Sequence, residues 1–194
     1  MKPTRVGIRY LIVFALVGCT AVGFSAHASQ APAAEFDPLY NFGATTMMPV
    51  GTGTLKYLGF ISIYDGTLYL PPNVAPRQAL DDVPKRLEVV YLRAFSKKDI
   101  GLAAIAGIKK NVSAETYARL KGRIARHNAL YTDIEPGDRV ALTYMPSVGT
   151  RVEINNVSEG IVEGADFARA LFSIWLGDFP FDKRFKQALL GGSR

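Results

Sequence analysis

Apolar and polar side chains alternate along Phe60-Ile61-Ser62-Ile63-Tyr64, and Thr67-Leu68-Tyr69-Leu70 extends this β-rich stretch until Pro71-Pro72 stops it. The pattern predicts a strand with Phe60, Ser62 and Tyr64 on one face and Ile61, Ile63 and Asp65 on the other. Gly51, Gly53 and Gly59 bracket a short partner strand around Leu55-Lys56-Tyr57, so the whole stretch reads as a hairpin. After a proline-punctuated loop, residues 86–95 are apolar on both faces, as in a central strand covered on both sides. Arg93 falls on the face of Val89 and Tyr91, where a buried guanidinium needs a carboxylate or a ring of acceptors.

The period changes to helical at Ser96. Ile100, Ala104 and Ile108 recur at helix spacing up to Lys110, although Gly101 and Gly107 each weaken a helix by about 1 kcal/mol relative to alanine. Ser113 can cap a second helix carrying Tyr117, Leu120, Ile124, Asn128 and Tyr131 in one stripe, with most of its basic residues elsewhere. Residues 139–145 and 150–155 form a second predicted hairpin, and residues 160–162 a further short strand. Residues 165–176 present a broad apolar helix face of Phe167, Ala170, Leu171, Ile174 and Trp175, and Asp182 caps a last helix over residues 183–190. Strands in hairpins with helices between and after them give an α+β fold class.

The first 28 residues stand apart. Lys2, Arg5 and Arg9 precede an apolar run from Leu11 to Phe24, and Ala26-His27-Ala28 is a small-x-small cleavage site, so residues 1–28 read as a signal peptide. Leu16-Val17-Gly18-Cys19 is the competing processing site, a lipoprotein box that would lipidate Cys19. Export to the periplasm is therefore expected, with a membrane-anchored lipoprotein as the alternative. Residues 29–46, rich in Ala and Pro, read as a linker, and residues 47–194 as one domain. Cys19 is the only cysteine, so the domain holds no disulfide. Half of the formal net charge of +6 sits on the leader's Lys2, Arg5 and Arg9, which leaves no basic surplus that calls for nucleic acid. His127, the one histidine beyond the leader, has no second histidine or cysteine near it and is assigned a structural role; no metal site and no cofactor are expected.

Four segments in order, GTGTLKYLGFISIYDGTLY, RLEVVYLRAFSKKDI, LYTDIEPGDRVALTYMPSVGTRVEIN and EGADFARALFSIWLG, resemble the chalcone-isomerase-like family, and within it the exported bacterial branch. The resemblance implies an open-faced β-sandwich in which a large antiparallel sheet is covered by helices, with a cleft between them. The family contains plant enzymes that cyclise chalcones and non-catalytic relatives that bind fatty acids. The resemblance points away from catalysis, because Tyr64 stands where the enzymes have a threonine, Ala168 where they have a hydroxyl residue, and Ile124 where they have an asparagine two turns after a tyrosine. The fatty-acid-binding members have a tyrosine matching Tyr64 that works with a basic residue of the preceding strand on a carboxylate; here Lys56 would be that residue. The expectation is an exported binding protein for a hydrophobic carboxylate such as a fatty acid, with Lys56, Tyr64 and Arg93 as ligand-binding residues. Membrane association would follow only from lipidation of Cys19. Two alternatives stay open: a lyase or isomerase using Tyr64 as acid or base, and a structural protein whose cleft is filled by side chains.

Overall fold

The computed structural model describes residues 34–192. The expected signal peptide, Cys19 and the first residues of the expected linker lie outside the described residues. Seven strands, β1 (Tyr40–Phe42), β2 (Thr45–Tyr57), β3 (Ile61–Leu70), β4 (Lys85–Tyr91), β5 (Arg139–Met145), β6 (Gly149–Ile154) and β7 (Val157–Val162), form one antiparallel sheet in chain order. Helices α1 (Lys97–Asn111) and α2 (Ala114–Ala129) lie between β4 and β5, and α3 (Ala165–Leu176) and α4 (Lys183–Leu189) follow β7. Three of the four helices have a side-chain cap: Ser96 accepts from the Asp99 amide, Ser113 from Thr116, and Asp182 from both Arg184 and Phe185; α3 starts at Gly164 without one.

Strand alternation divides the sheet into two unlike faces. The inner face carries Leu55, Tyr64, Leu68, Leu87, Val89, Val140, Leu142, Tyr144 and Val152, all buried in the hydrophobic core with α3. Helix α3 is buried on almost every side, and α1 comes close to it because Gly107 leaves room: a Cβ there would lie 2.9 Å from side-chain atoms of Ile174 and Phe181. The two α1 glycines that weaken the isolated helix thus serve packing, Gly101 against Asn128 and Gly107 against α3.

The outer face is polar and still buried. Arg86 and Glu88 are 3% and 4% exposed, and Arg86 pairs with Glu88 (2.8 Å) and with Glu153 while Arg139 also pairs with Glu88. The chain preceding β2 covers this network. Arg139 donates to the Glu35 carbonyl (2.8 Å), Tyr69 donates its hydroxyl proton to the Asp37 carbonyl (2.9 Å), and the Arg86 guanidinium lies 3.9 Å over the Tyr40 ring. Residues 34–46, expected as linker, are therefore a strap and the start of the sheet. Proline and glycine in β2 disguise it: the register breaks between Pro49 and Gly51 and again between Leu55 and Lys56.

Two further expectations change. The strand expected through Phe95 ends at Tyr91, where Tyr91 exchanges backbone hydrogen bonds with Gly137 and Asp138 and the chain turns toward α1. The third strand of the second half is β7, longer than residues 160–162 and bulged opposite Val152.

Candidate functional site

Tyr64 lies near one end of β3, opposite Leu55 on β2 and Tyr91 on β4. Its phenol oxygen accepts from Trp175 Nε1 at 2.6 Å, which ties β3 to the end of α3. Phe185 of α4 and Tyr91 pack edge-on against the Tyr64 ring, with centroids 5.7 and 5.3 Å away, and Phe95 extends the cluster beyond Tyr91. Burial raises the Tyr64 phenol well above its ordinary pKa, neighbouring Tyr91 and Tyr131 add to this, and the Trp175 hydrogen bond opposes it. Burial likewise raises the phenols of Tyr91 and Tyr131. Tyr64 is thus a protonated phenol at any physiological pH. Since an indole N–H only donates, the Tyr64 proton is not used on Trp175; the single N–H is spent on the phenol oxygen, and the pair leaves one donor free, the Tyr64 O–H.

Helix α4 reaches this position because the strands beneath it lack side chains. A Cβ on Gly51 would collide with the Ala188 carbonyl oxygen, and Cβ atoms on Gly53 and Gly66 would lie 2.7 Å from Ala188 Cβ and 2.9 Å from Phe185 Cζ. The rings of Phe185, Trp175 and Tyr91 fill the space around Tyr64. A cleft of about 490 Å³ lies elsewhere, lined by Leu80, Arg119, Asp166, Arg169, Ser173 and Phe179 among others; Lys56, Tyr64 and Arg93 do not line it.

The three residues expected to bind a ligand are close in the chain topology but unlike in setting. Tyr64 is buried, whereas Lys56 and Arg93 are exposed. Lys56 pairs with Ser62 across the β2–β3 ladder, and Arg93 Nε donates to the Ser62 carbonyl (3.0 Å), so both cations flank the same residue two positions before Tyr64. The buried guanidinium expected at Arg93 is not found, because β4 has already ended at Tyr91. Ala168 is fully buried on α3, two helical turns before Trp175 on the same face. Sequence reasoning treated Trp175 and Tyr131 as packing and missed them as partners of Tyr64. The inner-face register that pairs Tyr64 with Tyr91 was the available signal.

His127 supports the cluster from below. It is 2% exposed, with Nδ1 3.1 Å from Asn128 Oδ1 and Nε2 3.4 Å from the Tyr131 hydroxyl. Asn128 Nδ2 donates to the Gly101 carbonyl, which turns its oxygen toward His127. A neutral imidazole donating from Nδ1 and accepting at Nε2 satisfies both contacts. Burial lowers the His127 pKa to about 4, against a weaker upward pull from Asn128. A depressed histidine contributes stability that is fully present above its unfolded pKa near 6.5 and is lost as pH falls toward 4. The wild type should therefore lose about 3 kcal/mol more than His127→Gln between pH 7 and pH 4, read from urea unfolding at each pH. Parallel acid limbs in the two proteins would contradict a neutral buried imidazole.

The family model for chalcone isomerase-like proteins matches residues 28–191. The chain belongs to the chalcone isomerase-like family. No match emerges among curated protein sequences. Among solved structures, the crystal structure of the Arabidopsis thaliana fatty-acid binding protein AtFAP1 superposes with a TM-score of 0.58 at 16% identity, covering 83% of this chain and 91% of that one. At that identity the likeness establishes a shared chalcone isomerase-like fold: an antiparallel sheet with helices on its inner face, as expected from the sequence.

Proposed function

We propose that this chalcone isomerase-like protein is a non-catalytic binder of a hydrophobic carboxylate such as a fatty acid, held between the sheet and α3–α4 with its head group on the Tyr64 hydroxyl. The observation that carries this reading is the Tyr64 O–H, left free to donate because its oxygen accepts from the Trp175 N–H, and set in a shell of aromatic rings. A carboxylate accepts from that hydroxyl, and the shell suits an alkyl chain. The similarity to a fatty-acid binding protein adds support. The upward shift of the Tyr64 phenol works against its use as a general base, one of the two roles the lyase or isomerase alternative gives it. Ligand entry displaces Phe185, whose ring covers Tyr64. Lys56 and Arg93 act at the rim as the approach for the anion. In this reading the leader delivers the domain to the periplasm.

Intact-mass spectrometry of protein purified from its own host under native conditions reads both points: a bound acyl species is expected, with a mature N-terminus at Ser29. A diacylated Cys19 would replace the periplasmic reading with a lipoprotein. Tyr64→Phe removes one donor to a charged acceptor and should weaken displacement of a fluorescent fatty-acid probe by about 10–100-fold. Arg169→Gln, in the separate cleft, should leave it unchanged. Equal affinity in wild type and Tyr64→Phe, with loss in Arg169→Gln, would move the ligand to that cleft. Phe185 and Trp175 closing over Tyr64 favour a second reading, a partner-binding protein with a filled interior. An empty protein with no probe displacement would select it.

A further inference from the structure

The β2–β3 hairpin turns through Tyr57-Leu58-Gly59-Phe60, with φ of 52° at Leu58 and 80° at Gly59. Two central residues with positive φ make a primed turn, for which Asn-Gly or Asp-Gly is the favoured pair, because a bulky apolar side chain crowds its own backbone in that region. Leu58 receives no burial in exchange. It is 67% exposed, with Phe60 at 73% and Tyr57 at 40%. Two cations border the same tip: Lys56, next in the chain, and Arg93, whose Nε is fixed on the Ser62 carbonyl at 3.0 Å. Neither forms a salt bridge among the described residues. A turn chosen for folding alone would carry asparagine, and a tip meant for water would not hold three large apolar side chains at one point.

We propose that this tip is a membrane-docking finger: Leu58 and Phe60 insert into an anionic lipid surface while Lys56 and Arg93 meet its head groups. Apolar insertion and cation pairing are the two terms that hold proteins on such surfaces, and here one turn supplies both. The finger brings the lipid surface to Ser62, two residues from Tyr64. Docking stands without acyl binding in the interior, since the residues that dock are all outside it.

Hydrogen exchange of the full chain, with phosphatidylcholine vesicles that do or do not contain phosphatidylglycerol, tests this at the tip itself, so attachment through another part of the chain leaves the signal unchanged. Amides 57–60 should slow about tenfold on the anionic vesicles only. Lys56→Gln combined with Arg93→Gln should abolish the dependence on phosphatidylglycerol. Leu58→Asn should lose the protection while raising the melting temperature, because asparagine relaxes the turn. Tip exchange that ignores anionic vesicles, or full protection in Leu58→Asn, would overturn the proposal. Slowing that follows protein concentration without vesicles would also overturn it, in favour of a second copy of the chain.

Discussion

Glu88→Ala is expected to lower the free energy of unfolding by roughly 3–5 kcal/mol, because it leaves two guanidinium groups without their shared carboxylate under a covered face. Glu88 accepts from Arg86 on one side and pairs with Arg139 on the other, and the Arg86 and Glu88 side chains are only 4% and 6% exposed. Arg86 keeps Glu153 and the Thr143 hydroxyl, and its face still lies on the Tyr40 ring. That remaining support is why the loss should stay within this range. The cost arises from orphaning a buried charge, so exchanging the pair for apolar residues of similar volume, Arg86→Met with Glu88→Leu, together with Glu153→Gln to remove the carboxylate that Arg86 would leave behind, should cost less than the single change. Urea unfolding decides between them. A loss below about 1 kcal/mol for Glu88→Ala would mean that water already reaches the network beneath the strap.

The second large effect is expected at the other face. Phe185→Ala should cost roughly 3–5 kcal/mol, the range for removing a fully buried phenylalanine. The ring is 1% exposed, packs on Tyr64, and rests in the space left by Gly53 and Gly66. Its removal deprives α4, a helix of seven residues, of its main anchor beside Leu189. Trp175 is the only tryptophan of the chain, so its emission reports the Tyr64 pocket directly. Phe185→Ala should shift that emission to the red along with the loss of stability. Lost stability with unmoved emission would show that α4 does not cover the phenol.

How far the molecule could be read from its residues depends on whether the cause of each element is local. Strand β3, the hairpin of β5 and β6, and all four helices follow from side-chain period within their own segments, with caps marking the starts of α1, α2 and α4. Strand β2 does not: Pro49, Gly51 and Gly53 look like turn residues, and their reason is a helix that docks some 130 residues later. Arg86 and Glu88 look like the flank of a strand. Only the strap of residues 34–40 makes them interior. Of the site, Tyr64 could be picked out because the hairpin pattern fixes its face. Trp175 could not, since a tryptophan on an apolar helix face is indistinguishable in sequence from core packing until its N–H is seen to reach a strand more than a hundred residues away. Arg93 was misplaced for the opposite reason, because an apolar run continues past the residue where the backbone leaves the ladder.

Strand order in the sheet repeats the order of the chain, and this bears on assembly. When the polypeptide emerges N-terminus first, each strand meets a partner already laid down, and only the step from β4 to β5 closes a long loop, the one that holds α1 and α2. The charged side is roofed early by residues that precede the sheet. The aromatic compartment stays open until the final thirty or so residues arrive with α3 and α4. Under the binding function proposed above, a greasy guest encountered before that moment would be enclosed by the last folding step and need not be threaded into a finished molecule.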